Sequence, residues 1–150
     1  MPKELEATID IKAAPEQVWN IVSDLKRMPE FSPQCVRMQP LGRRVHTGTW
    51  TVNLNRDGSK FWPTTSRVVR FEPNRAIAFR MNESRVIWSF TLEPTEGGTR
   101  VIQRRDIPHG VSAFSRKAIS AGFGPEEGFE DSLVAGMNET LGKIKAVVER

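Results

Sequence analysis

The final stretch of the chain, Phe129 to Arg150, has helical periodicity, while most of what precedes it alternates like β-strand. At about 100° per residue, Phe129, Leu133, Ile144, Met137, Val148, Leu141 and Val134 fall within roughly 140° of one another. Thr140 and Val147 lie on the same side. Asp131, Ser132, Asn138, Glu139, Lys143, Glu149 and Arg150 take the other. No second helix of comparable length is available to cover the stripe. A long amphipathic helix closing a strand-rich chain must lie across a sheet, so the question is how closely it lies there.

The strands are legible one by one. Leu5, Ala7, Ile9 and Ile11 alternate with Glu4, Glu6, Thr8, Asp10 and Lys12, the period-two pattern of a half-buried strand. Ala13-Ala14-Pro15-Glu16 then opens a helix. Pro15 suits a first helical position, and Val18, Trp19, Ile21, Val22 and Leu25 give an apolar face. Met28 to Ser32, bracketed by Pro29 and Pro33, reads as one further helical turn. From Gln34 on the pattern is strands and turns: Val36 to Leu41, Gly48 to Asn55, Lys60 to Glu72, Arg75 to Met81, Arg85 to Glu93 and Thr99 to Ile107. Asp57-Gly58, Pro73-Asn74 and Gly97-Gly98 supply tight turns. Short connections imply antiparallel neighbours. Pro108 to Gly128, with four glycines and Pro125 besides Pro108, is irregular, with a possible helical turn at Ser115 to Ala121. The expectation is an α+β domain spanning residues 1–150: a curved six- to seven-stranded antiparallel sheet, two short helices after the first strand, and a long C-terminal helix laid in the concavity.

Bulk properties exclude several function classes. A chain of 150 residues, 38% hydrophobic and 27% charged, is globular in composition. It has no apolar run of the roughly 20 residues a bilayer span needs, which predicts no integral membrane association. Met-Pro-Lys-Glu-Leu-Glu has no apolar signal core, and Cys35 is the sole cysteine. Both predict a cytoplasmic protein without a disulfide framework. The net charge of +4 is spread in short basic clusters, such as Arg43-Arg44 and Arg104-Arg105, separated by acids. That distribution predicts a solvated basic surface and no nucleic-acid partner. Metal-ligand spacing, a phosphate-binding glycine loop and a dinucleotide fingerprint are all missing, so no metal site and no cofactor is expected.

Several segments together resemble the START-like (SRPBCC) superfamily, in its polyketide cyclase/dehydrase-like branch. They are Ala14-Pro15-Glu16-Gln17-Val18-Trp19, Val22-Ser23-Asp24, Met28-Pro29-Glu30-Phe31-Ser32-Pro33, Phe71-Glu72-Pro73-Asn74-Arg75, and Trp88 to Pro94 leading through Gly97-Gly98-Thr99-Arg100-Val101. Gly136-Met137 and Leu141 in the last helix complete the series, which covers nearly the whole chain. The resemblance implies a helix-grip fold with an elongated apolar cavity between sheet and helix. It implies a ligand that is a lipid, a polyketide-like compound or another hydrophobic molecule. It supplies no universal catalytic motif, and fold alone does not settle function.

A cavity of that kind needs apolar walls and a few inward polar groups. Strand alternation places Ile77, Phe79 and Met81 on one face with Trp88, Phe90 and Leu92, and with Val101, Gln103 and Arg105. From these, Phe79, Met81, Trp88, Phe90, Val101, Gln103 and Arg105, together with Phe129, Leu133 and Met137 of the helix, are the expected ligand-binding residues. Trp50, Val52 and Leu54 share one face of their strand and Thr51, Asn53 and Asn55 the other. Which face is inward stays open, as does the orientation of Trp62. Three residues are candidates for chemistry. Glu130 falls within the apolar stripe, where desolvation would raise its pKa, although an acid in the first turns equally suits the helix dipole. His109, near Asp106, is a possible proton carrier. Arg105 would pair a carboxylate or stabilise an enolate if it reaches the cavity, and would be a rim residue in solvent if it does not. The leading expectation is a binding protein for a small hydrophobic or amphipathic molecule, monomeric or homodimeric. The alternatives are a polyketide cyclase or dehydratase using those three residues, and a non-catalytic regulatory or interaction partner. Gly136 at the margin of the stripe marks either close approach of helix to sheet or room for a ligand.

Overall fold

The computed structural model describes residues 5–83, 85–107 and 126–149, with the side chains of the final helix from 133 on. One seven-stranded antiparallel sheet runs in the order β1-β7-β6-β5-β4-β3-β2. Its strands are β1 (Leu5–Ile11), β2 (Cys35–Pro40), β3 (Trp50–Asp57), β4 (Lys60–Glu72), β5 (Ala76–Met81), β6 (Ile87–Thr95) and β7 (Gly98–Asp106). Between β1 and β2 stand α1 (Pro15–Val22), a 3-10 turn (Leu25–Arg27) and α2 (Met28–Phe31). The closing helix is α3 (Glu126–Val148). The curved sheet, the early short helices and the gripped C-terminal helix are the helix-grip fold.

Local chemistry sets the elements. Pro15 occupies the first turn of α1, and the Gln17 side chain reaches back to accept from the Ala14 N–H at 3.1 Å, satisfying one orphan donor. The β4 strand runs for 13 residues and survives its length through a bulge between Val68 and Arg70 that leaves Val69 outside. Gly98 begins β7 at φ +154°, where a Cβ would overlap the Ile11 carbonyl oxygen. Only glycine lets β7 come that close to the end of β1. Helix α3 begins at Glu126, three residues earlier than its apolar stripe suggests. Gly128 lies within it, at a propensity cost of roughly 1 kcal/mol. The possible turn at Ser115 to Ala121 lies outside the described residues.

Helix α3 lies chiefly against β1, with further contact to α1, α2 and β7. Its carboxyl end is fastened to the end of β1: Lys145 Nζ donates to the Asp10 carbonyl at 2.8 Å, and the Lys12 N–H donates to Glu149 Oε2 at 2.8 Å. Beneath this end the interior is solid. Val18, Val22 and Leu25 from the early helices, Ile11, Ile77 and Val101 from the sheet, and Leu141 and Ile144 from α3 are all at most 2% exposed. Each such side chain contributes about 1.5–3 kcal/mol on burial. Trp19 adds an edge-on contact with Phe71 at 5.2 Å between ring centroids.

Candidate functional site

Away from that solid end the sheet and α3 separate around a cavity of about 120 Å³. A cavity of roughly 150 Å³ in an apolar core holds a benzene ring, so the space fits a ligand body of about one ring. One wall is the inward face of β5, β6 and β7: Phe79, Met81, Trp88, Phe90 and Gln103. The roof is α3, through Leu133, Gly136, Met137 and Thr140. The third side comes from α2, the turn after it and β2, through Met28, Pro33, Cys35 and Met38 with Ser32 and Gln34. Asn53 and Asn55 of β3 complete it.

Strand β3 therefore turns its polar residues inward. Thr51 and Asn53 are 0% and 6% exposed, whereas Trp50, Val52 and Leu54 are 47%, 48% and 37% exposed on the outer face. Burying hydroxyls and amides is costly unless they bond one another, and here they do. Thr51 Oγ1 is bonded to Asn53 Oδ1 at 2.8 Å and to Ser66 Oγ of β4. Asn55 Nδ2 donates to Thr64 Oγ1 at 2.9 Å and to the Trp62 carbonyl at 3.3 Å. The inward ladder of β3 and β4 is thus a self-satisfied polar wall. The partly buried Trp62 stands in register with Asn55 on that face but does not wall the cavity.

Two features of the cavity concern charge. Among the described residues, none of its walls carries an ionised side chain. The Cys35 thiol is also held neutral: burial raises its pKa to about 11, against a smaller opposing effect of its backbone hydrogen bond with Arg37. One polar group is left over. Gln103 is 7% exposed, and its Oε1 is buried without a hydrogen-bond partner among the described residues.

Of the residues expected to bind ligand, Phe79, Met81, Trp88, Phe90, Gln103, Leu133 and Met137 meet around the cavity. Val101 and Arg105 share the inward face of β7 without walling it. Val101 is fully buried in the solid core, and Arg105, 5% exposed, lies one step beyond Gln103 opposite Leu5 and Trp88. The reading of Arg105 as a solvated rim residue is therefore corrected. The Phe129 and Glu130 side chains and the whole of His109 lie outside the described residues. Gly136 lines the cavity, and the nearest atom to a Cβ there is Pro33 Cγ of the turn after α2, at 3.4 Å, with no sheet atom within 4 Å.

Alternation alone missed Met28, Cys35 and Met38. For Cys35 and Met38 the cause is a bulge in β2, where Cys35 pairs Asn55 and Arg37 pairs Leu54, leaving Val36 extra. The extra residue brings Cys35 and Met38 to the same face although they are three apart. A signal was available in the methionines: four of the five in the chain, Met28, Met38, Met81 and Met137, line the cavity. Methionine adapts to irregular space better than branched side chains do. Among the described residues there is no cluster of three or more His, Cys, Asp or Glu able to hold a metal ion, and no helix long and apolar enough to cross a membrane.

A seven-stranded sheet gripping a C-terminal helix over a partly apolar hollow defines a helix-grip domain of the START-like type. The chain belongs to the family described as polyketide cyclase / dehydrase and lipid transport, whose profile matches residues 2–149. Among solved structures it is similar to StfQ, a di-domain ARO/CYC from the steffimycin biosynthetic pathway, with a TM-score of 0.76 at 16% identity, covering 97% of this chain and 50% of that one. BexL, a di-domain ARO/CYC from the BE-7585A pathway, gives 0.73 at 14% identity over 98% and 50%. The chain thus spans half the length of these two relatives. The Polyketide_cyc-like protein Cgl2372 from Corynebacterium glutamicum gives 0.58 at 25% identity over 100% and 92%. A search of curated proteins finds no match.

Proposed function

We propose that the protein binds one small hydrophobic or amphipathic molecule, of lipid or polyketide-like character, in the cavity between β2, β3, β5–β7 and α3. The observation that carries this reading is the ring-sized hollow walled by Phe79, Met81, Trp88, Phe90, Leu133 and Met137 beside a densely buried core. Well-packed interiors do not keep such space without a cost in stability, which a ligand offsets. Family membership supports the same reading. Native mass spectrometry with a panel of lipids and polyketide-like compounds tests it. One-to-one adducts are expected for the wild type and are lost in Met81→Trp, which fills the hollow from its half-buried edge. Equal adduct formation by both proteins would contradict it.

The family also contains cyclases and dehydratases, and the likeness to StfQ and BexL favours a polyketide cyclase or dehydratase as the second reading. On that reading the walls orient a reactive chain. Proton transfer would fall to Glu130 or His109, because the described walls supply hydroxyls and amides in place of an acid or base. Glu130→Gln and His109→Asn would then abolish turnover of an aromatisable polyketide analogue while leaving its binding within about threefold.

A further inference from the structure

We propose that the outer face of β2–β4 docks the protein on an anionic lipid surface as a peripheral contact. The proposal goes beyond ligand binding and does not depend on the hollow. It starts from the inversion of β3, which leaves Trp50, Val52 and Leu54 outside at 47%, 48% and 37% exposed. Phe61 of β4, 57% exposed, continues this stripe opposite Arg56. Leu41, 53% exposed, extends it at the other end, where its N–H donates to the Trp50 carbonyl at 2.8 Å. Apolar residues exposed singly are ordinary, but a contiguous patch marks an interaction surface.

Charge says what kind of surface it meets. Arg37 of β2 stands opposite Leu54, Arg67 of β4 opposite Trp50, and Arg80 of β5 opposite Arg67, while Arg56 follows Leu54 along β3. All four are exposed. Among the described residues none of the four forms an ion pair. The Glu83 carboxylate also reaches this face, where it accepts from the Thr65 N–H at 2.8 Å and the Thr65 hydroxyl at 2.6 Å, and it offsets one charge of the four. Elsewhere on the outer face arginines stand beside acids: Arg70 with Glu72, Arg100 with Asp10, and Arg104 with Asp106. The positive surplus is thus gathered around the apolar stripe.

That combination selects among occupants. A second copy docked by the same face about a two-fold axis would bring arginines against arginines. A peptide or a lone helix needs a slot, whereas strand side chains stand roughly perpendicular to their sheet and present one layer. Such a layer suits a broad, compliant surface. At an anionic bilayer the arginines meet the headgroups, and Trp50 and Phe61 enter the interfacial zone that aromatic rings favour.

Sedimentation with vesicles of phosphatidylglycerol and phosphatidylcholine in equal parts, and of phosphatidylcholine alone, tests the proposal. The wild type should bind the anionic vesicles at least about tenfold more tightly and lose that preference in about 0.5 M salt. The double variant Arg56→Gln, Arg67→Gln should bind them about 25-fold more weakly, about fivefold for each charge removed. Trp50→Ser should weaken binding about fivefold. Lys143→Gln, on the exposed face of α3, removes a charge elsewhere and should leave binding unchanged. Equal binding to both vesicles, no binding to either, or a loss in Lys143→Gln matching that of one arginine overturns the proposal. A dimer in solution that Trp50→Ser dissociates overturns it as well and gives the face to a second copy. Ligand uptake by the hollow is read in a separate titration, so either reading can fail while the other stands.

Discussion

Two walls of the same sheet obey opposite rules. In β5–β7 the inward residues are mostly apolar, Ile77, Phe79, Phe90 and Val101, with Gln103 and Arg105 the polar exceptions on β7, and the outward face carries exposed charges, with Arg100 paired to Asp10 at 3.0 Å. In β3 the inward residues are Thr51, Asn53 and Asn55, and the outward ones are Trp50, Val52 and Leu54. Both walls are β-sheet because alternation, and not the direction of polarity, is what a strand requires. The first wall drives folding. The second is compatible with folding only because its hydroxyls and amides bond one another. Their inward placement makes sense beside a hollow, where polar atoms can address a ligand. Both walls meet at the hollow, the first through Phe79 and Phe90 and the second through Asn53 and Asn55, so the first supplies its apolar side and the second its polar side.

Substitutions on the two walls should break or sharpen this contrast. The largest effect is expected in the solid core. Ile77→Ala, fully buried and off the cavity, should lower the unfolding free energy by about 2–5 kcal/mol in denaturant titrations. Next comes Cys35, at the seam between the walls. Its pKa, raised from 9.0 to about 11, reduces the thiolate fraction at neutral pH by about a hundredfold relative to a free thiol. Alkylation should therefore accelerate with pH up to about 11, and bound ligand should protect the thiol. An inflection at the ordinary thiol pKa would place Cys35 in solvent instead.

Smaller effects belong to the polar ladder. Thr51→Val leaves Ser66 and Asn53 with unmet bonds and should cost about 1–3 kcal/mol. Adding Ser66→Ala should recover part of that loss, a non-additivity that a double-mutant cycle detects. On the outer face, Trp50→Ser should stay within about 0.5 kcal/mol of wild type despite the size of the deleted ring. A cost comparable to Ile77→Ala would show that the outer stripe is covered. The gentlest effect is at the clamp of α3. Bonding by the Lys12 N–H, then by Lys145, lowers the Glu149 pKa below the ordinary carboxylate value. A depressed folded pKa gives a contribution present above the unfolded pKa and lost as pH falls through the folded one. The protection factor of the Lys12 amide, its exchange corrected for the intrinsic rate at each pH, should thus fall on acidification through and below the carboxylate range, and Glu149→Gln should remove that dependence.

Much of this architecture is legible in the residues. Period-two alternation identifies β1 and the inward faces of β5, β6 and β7, and the turn dipeptides separate the strands. The stripe of α3 requires a sheet beneath it, and Leu133, Met137, Leu141 and Ile144 lie buried as it implies. The seven expected residues that line the cavity all come from regular elements. What escaped is what periodicity does not encode. The β2 bulge places Cys35 and Met38 on one face, a register event set by pairing with β3. Met28 and Pro33 reach the cavity from a short helix and a turn, where no repeat exists to read. The inversion of β3 was undecided because either parity alternates equally well. The fate of Arg105 depended on where the hollow ends along β7, a matter of packing volume and not of strand phase.

The central claim is that the hollow is a binding site, and the methionines make it directly observable. The protein should be labelled with ¹³C at its methionine methyl groups and titrated with a ring-sized apolar ligand such as toluene. Saturable shifts of the Met28, Met38, Met81 and Met137 methyls together, returning one dissociation constant, are the predicted result. Methyls that stay unmoved while the ligand is taken up, or that shift without saturating, would contradict it.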